Sequence, residues 1–186
     1  MEGKKGAGTW FEAVLSPRAE HEGGVFAAGS VAEALDATGC RYAFGSREEA
    51  DAAALFLNRL CESLREASDA REAEEAFIVR QAPGEAGERC TGRETRYEAV
   101  FRSTLCSLDP ETFDCWAKVE EIRKRAGAVF SWETEAEAVR EARFLNEAGR
   151  LTANAVFRED RKRYGFAPSF EVVEVPRKAA GKGDRR

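Results

Sequence analysis

Histidine is nearly missing from this chain of 186 residues, which has His21 and no other. Five cysteines, Cys40, Cys61, Cys90, Cys106 and Cys115, contain no CxxC pair and, with a single histidine, make no zinc spacing. They read as reduced, mostly buried thiols, and neither a metal nor another cofactor is expected. Long apolar runs are absent too. No stretch approaches the roughly 20 apolar residues of a membrane span, and the opening MEGKKGAGTWFEAVLS lacks the uninterrupted apolar segment of a secretory leader. No Gly-rich phosphate loop, Ser/His/Asp set or Cys/His pair stands out. The many glutamates fit helix faces and caps. A soluble, intracellular, non-enzymatic protein without membrane partners is the expectation. Positive charge is also in deficit, with 29 Lys and Arg against 34 Asp and Glu and a net charge of -5. Any attraction to nucleic acid must therefore be local.

What the chain has is an internal echo. Tyr42–Asn58 reads YAFGSREEADAAALFLN, and 88 positions further on Phe130–Asn146 reads FSWETEAEAVREARFLN. Tyr42 and Phe44, like Phe130 and Trp132, alternate along a short strand and so share one face. Ser46 with Glu49, and Thr134 with Glu137, have the spacing of a reciprocal capping box. A helix follows in each case. Ala50, Ala54, Leu57, Cys61 and Leu64 line one side of the first helix, and Ala138, Ala142 and Leu145 take the matching places in the second.

The flanking segments extend the match. Trp10–Leu15 reads as a strand, Val25–Ala27 as a second short one, and Ser30 as the cap of a short helix carrying Val31, Ala34 and Leu35 and closed by Thr38-Gly39. Arg96–Phe101 echoes the first strand, Thr112–Asp114 is strand-like, and Trp116–Arg125 is a helix ended by Ala126-Gly127. Ala76–Gln81 and Phe170–Val175 add one strand after each copy, either extending each sheet or pairing across the halves. The predicted fold is α+β, a tandem repeat of a small three-stranded antiparallel sheet packed on two helices, each copy with an additional strand. The copies span 9–81 and 95–176, joined by a linker at 82–94, with a disordered N-terminus at 1–8 and a basic disordered tail at 177–186.

An aromatic-x-Ala-Val strand, a Gly-hydrophobic-Phe turn, an aromatic strand and Ser/Thr-x-x-Glu-Ala before a helix closing in Phe-Leu together resemble the hybrid-binding domain of type 1 ribonuclease H, the module also known from viroplasmin. In the first half the matching residues include Phe11, Ala13, Val14, Gly24, Val25, Phe26, Tyr42, Phe44, Ser46, Glu49, Ala50, Phe56 and Leu57. In the second they include Tyr97, Ala99, Val100, Phe113, Trp116, Phe130, Trp132, Thr134, Glu137, Ala138, Phe144 and Leu145. The resemblance implies a sheet backed by two helices that grips RNA/DNA hybrid or double-stranded RNA. It also implies an aromatic opening the first helix to pack on sugar, matched by Trp116, and lysines on the third strand. Those lysines are replaced here: Ala43 and Ser131 precede the core aromatics, and Arg41 is the single cation in either strand.

Local charge separates the halves. Residues 9–81 carry 14 acidic and 7 basic side chains, whereas residues 96–163 carry 13 of each. Nucleic-acid binding is therefore expected mainly through the second copy, with Trp116 on sugar and Lys118, Arg123, Lys124, Arg125 and Arg102 on phosphates. The missing strand lysines and the acidic first half favour an alternative, a duplicated protein-interaction or structural scaffold without nucleic-acid binding.

Overall fold

A computed structural model of the protein describes residues 10–16, 26–66, 76–82, 95–101, 110–156 and 170–176. In chain order the elements are β1 (Trp10–Leu15), α1 (Phe26–Thr38), β2 (Ala43–Phe44), α2 (Arg47–Glu66), β3 (Phe77–Ala82), β4 (Thr95–Phe101), α3 (Pro110–Arg125), α4 (Glu135–Val156) and β5 (Phe170–Pro176). The fold is α+β. Among the described residues four helices accompany an antiparallel sheet of order β2-β1-β3 and a two-stranded antiparallel sheet β4-β5. Trp132 adds a single antiparallel bridge to Tyr97, exchanging both backbone hydrogen bonds with it at 3.0 and 2.8 Å.

Two expected strands are helical. Phe26 and Ala27 open α1, so Val25–Ala27 is not a strand across its described residues. Ala27, Val31 and Ala34 recur at steps of four and three and are buried, and that helical period overrides the short apolar run. Ser30 accordingly lies inside α1 and does not cap it. Thr112–Asp114 belongs to α3, which starts at Pro110; proline is well placed in a first helical turn, where its missing N–H has no partner to lose. The third strand of each expected sheet is reduced, to two residues in β2 and to the lone bridge at Trp132. The added strands Ala76–Gln81 and Phe170–Val175 settle within their own halves, β3 on β1 and β5 on β4. The expected linker at 82–94 begins inside β3, which includes Ala82; the rest of it, the expected disordered ends, Cys90, Cys106, His21 and Arg102 lie outside the described residues.

Both halves stop and start their helices by the same local chemistry. Gly39 and Gly127 have φ of 65° and 70°, a backbone region that glycine enters without steric cost. Each anchors a Schellman turn: Cys40 N–H donates to Leu35 O and Gly39 N–H to Asp36 O, while Ala128 N–H donates to Arg123 O and Gly127 N–H to Lys124 O. Thr134 and Glu137 form the reciprocal box, the Glu137 carboxylate accepting from Thr134 N–H at 3.2 Å and Glu137 N–H donating to Thr134 Oγ1 at 3.3 Å. In the first half the box is one-sided. Glu49 N–H donates to Ser46 Oγ, whose own hydroxyl turns to Glu48.

The closing asparagine of each Phe-Leu-Asn has a tertiary role. Asn58 on α2 accepts from the N–H groups of Ala76 and Phe77 at 2.9 and 2.8 Å and donates to Phe77 O at 2.9 Å. Asn146 on α4 does the same to Phe170, accepting at 3.0 Å and donating at 3.1 Å. A side-chain amide, with an acceptor and a donor side by side, matches the paired groups of one strand residue. Each helix thereby holds the first residue of its half's last strand.

One hydrophobic core runs through both halves. α1 packs on α4 as well as on α2, and α3 packs on α2 as well as on α4. At the seam Phe44 lies 4.5 Å from Phe130 and 5.6 Å from Trp132, centroid to centroid, and Tyr42 lies 5.6 Å from Phe130. All four rings are buried. Such aromatic pairs contribute about 0.5–1.5 kcal/mol each beyond the area they bury.

Replacing Asn58 with alanine leaves three strand-end groups without partners and should lower the free energy of unfolding by about 2–3 kcal/mol in urea titration. Asn58→Asp, which keeps the acceptor and loses the donor, should fall between the two. An Asn58→Ala variant as stable as wild type would show that water replaces the amide freely.

Candidate functional site

The residues expected to meet nucleic acid are on α3, and the helix distributes them unevenly. Trp116 is 2% exposed. Its indole lies over the backbone of Gly149 on α4, so closely that a Cβ at Gly149 would stand 2.4 Å from Trp116 Nε1. Burial corrects the expectation that this ring stacks on a sugar. Glycine is required at 149 because only a residue without a Cβ admits the indole. The positions 88 residues earlier hold Ala28 and Cys61, both buried, so the first half has a small residue on its first helix where the second has tryptophan.

Arg123 is 1% exposed, which corrects its expected role on phosphate. Its guanidinium pairs with Glu120 at 3.0 Å and Glu141 at 3.6 Å, donates to Ala99 O at 2.9 Å, and stands 5.6 Å from the centre of the Phe170 ring. One side chain thus ties α3 to α4, β4 and β5. Lys124 and Arg125 are exposed but paired one turn back, with Glu120 at 3.1 Å and Glu121 at 2.5 Å. Lys118 is exposed. Arg102 lies outside the described residues. The structure therefore brings no two of these groups together as an open basic surface with an aromatic platform among the described residues.

Instead it gathers a buried polar cluster at the seam. Glu141 is fully buried, accepts from Trp132 Nε1 at 2.6 Å, and shares Arg123 with Glu120. The Tyr42 hydroxyl, from the first half, and the Cys40 thiol are near enough to feel the same carboxylate. Burial drives the Glu141 carboxyl up to about 7, against the opposing pull of Arg123 and the Trp132 N–H. Burial also raises Tyr42 and Cys40, and pushes Cys61 up to about 12. These thiols remain protonated at neutral pH and are poor nucleophiles and metal ligands. Two carboxylates around one guanidinium hold α3 and α4 together, with Glu141 at the buried end and Glu120 reaching the exposed Lys124. Among the described residues no group of three or more His, Cys, Asp or Glu is placed to hold a metal, and no helix is long and apolar enough to cross a membrane.

Glu141 escaped the sequence reading although it left a signal. It lies between Ala138, Ala142 and Leu145 on the apolar side of α4, where an acid needs a buried partner. Arg123 occupies the place that Leu35 holds 88 residues earlier, and Glu141 that of Ala53. Two apolar residues thus stand 88 positions before this charge pair. No family model matches the chain, and neither a curated protein nor a solved structure matches it.

Two outcomes are expected. Gly149→Ala should destabilise by about 1–3 kcal/mol through overpacking against Trp116, and Gly149→Ala with Trp116→Phe should recover part of the loss; no loss in the single variant would overturn this contact. Because Glu141 is raised in the folded state from its ordinary 4.5 to about 7, its contribution to stability is fully present below about pH 4.5 and is lost as pH rises through 7. At about 1.4 kcal/mol per pH unit the loss is roughly 3 kcal/mol. Unfolding free energies measured from pH 5 to 8 should fall in wild type and be flatter in Glu141→Gln; equal slopes would refute the assignment.

Proposed function

We propose that the chain is a non-catalytic interaction or structural module, two copies of one strand–helix–strand–helix–strand unit joined through their aromatic strands. One observation carries this reading: the aromatic and the central cation that a nucleic-acid site would use are engaged inside the fold, and the two cations beside Arg123 are paired on the helix surface. Trp116 is sealed on Gly149, Arg123 is buried between two carboxylates, and Lys124 and Arg125 answer acids on their own helix. Phosphate contacts supply most of the affinity for a duplex, and cations already neutralised one turn away contribute little of it.

The second reading follows the resemblance to the hybrid-binding domain, with RNA/DNA hybrid or double-stranded RNA bound through the second copy. Lys118 and Arg125 favour it. Both are exposed, and a separation of seven residues puts them on one side of α3.

Fluorescence-anisotropy titrations of labelled RNA/DNA hybrid, duplex RNA and duplex DNA distinguish the two. The interaction module should show no saturable binding at low salt, where phosphate contacts are strongest. Saturable binding that prefers hybrid or RNA, and weakens at least tenfold in Lys118→Ala/Arg125→Ala, would replace it with the second reading.

A further inference from the structure

With all three groups ionised, Glu120, Glu141 and Arg123 carry one negative charge in excess, and the geometry decides where that excess falls. Arg123 stands nearer Glu120, at 3.0 Å, than Glu141, at 3.6 Å, and its Nη2 is taken by the Ala99 carbonyl. Glu120 also has the exposed Lys124 at 3.1 Å. Glu141 has in addition only a neutral donor, Trp132 Nε1. The less compensated carboxylate is therefore the deeper one. Keeping it ionised away from water is costly, and either a proton or access to water relieves it.

The elements around Glu141 differ in how they answer its ionisation. α3 faces it with Arg123 and Glu120, and a negative charge on Glu141 strengthens its tie to Arg123. β4 and β5 meet the cluster with the Ala99 carbonyl and the Phe170 ring, and α2 adds the Phe56 ring against Tyr42 and Phe144. From the first half come the Tyr42 hydroxyl and the Cys40 thiol, neutral groups that feel the carboxylate and do not compensate it. The acids of α1, Glu33 and Asp36, are exposed. Tyr42 is held among five rings, with centroids 5.6 to 6.4 Å away. Cys40 has no such hold. It follows the Schellman turn at Gly39, which is exposed and lies beside the exposed Arg140 of α4, whose Cδ would be 3.9 Å from a Cβ at Gly39. A single turn thus stands between solvent and this side of the cluster.

We propose that the Gly39–Cys40 turn is a proton-operated gate: it stays packed on α4 while Glu141 holds its proton, and it lifts to admit water when the carboxyl ionises. Tyr42 and the ring seam stay in place. A proton shifts this equilibrium because it binds more tightly in the closed state than in the open one, where Glu141 is hydrated. The gate couples a charge in the second half to the end of a helix in the first, and it is independent of what the module binds.

Thiol labelling of the full chain with dithiodipyridine, mapped by mass spectrometry, reads the gate. Cys40 lies behind the turn, whereas Cys61, 2% exposed within α2, reports only wider unfolding. Rates are taken relative to free cysteine at the same pH. With Glu141 at its ordinary 4.5 when open and about 7 when closed, the Cys40 rate should rise about 70-fold from pH 5 to pH 8 and stay nearly flat in Glu141→Gln. At pH 8 it should exceed the Cys61 rate by about tenfold or more. Gly39→Ala strains the closed turn, whose φ is 65°, and should speed Cys40 about fivefold at each pH, which keeps the test decisive if Glu141→Gln does not fold. Labelling of Cys40 and Cys61 at one rate, a wild-type rate that does not rise with pH, an equal rise in Glu141→Gln, or no response to Gly39→Ala would each overturn the gate.

Discussion

Four aromatic rings, Tyr42 and Phe44 from one half and Phe130 and Trp132 from the other, meet in the middle of the molecule, and the rest of the structure is arranged to keep them there. Neither strand segment is long enough to stand as a sheet edge: β2 has two residues and its counterpart contributes one bridge. Their stability comes from side chains, whose rings are removed from water by the opposite half. The helices enforce the same union. α1 reaches across to α4 and α3 to α2, so the apolar stripe of each half finds its cover partly on the other. Each half has a small core of its own, and a shared one buries a larger fraction of its apolar surface.

Within that shared core the two halves of the chain differ in size and charge at positions 88 residues apart. Tryptophan at 116 stands over glycine at 149, where the first half has alanine and cysteine. Arginine at 123 and glutamate at 141 stand where the first half has leucine and alanine. A buried ion pair of this kind is a weak source of net stability against an apolar pair of equal volume, yet removing one partner leaves a costly unpaired charge. Arg123 therefore serves most plainly as a positional tie, since its bond to Ala99 O and its place beside Phe170 fix α3 against the second sheet. The cations and the aromatic that suggested nucleic-acid binding are the same residues that make these trades. A surface function and a core function compete for one side chain, and here packing density decides, because interiors leave no room for a large ring or a guanidinium to alternate between two positions.

Much of this architecture was legible beforehand. Strand alternation, helical stripes, the Gly39 and Gly127 stops and the Thr134–Glu137 box all depend on contacts within a few residues, which a linear pattern records directly. Misreadings came where a short apolar run had no period to judge by. Phe26-Ala27 and Thr112–Asp114 look like strands in isolation and are helical because longer apolar periods run through them. Trp116, Arg123 and Glu141 were harder. Their burial depends on what faces them from another helix, and those partners lie 18 to 33 positions apart in the chain.

By itself the sequence determined the class of the fold, the Gly39 and Gly127 helix stops, the Thr134–Glu137 box and the acidity of the first half, since each follows from spacing and composition over short stretches. Tertiary structure alone decided that the aromatic strands face one another, that the closing asparagines hold strand ends, that Trp116 is sealed on Gly149, and that Arg123 is interior. The physical reason is common to all four. A periodic pattern states that a side chain needs cover, or that a backbone group needs a partner, and it does not state which distant residue provides it.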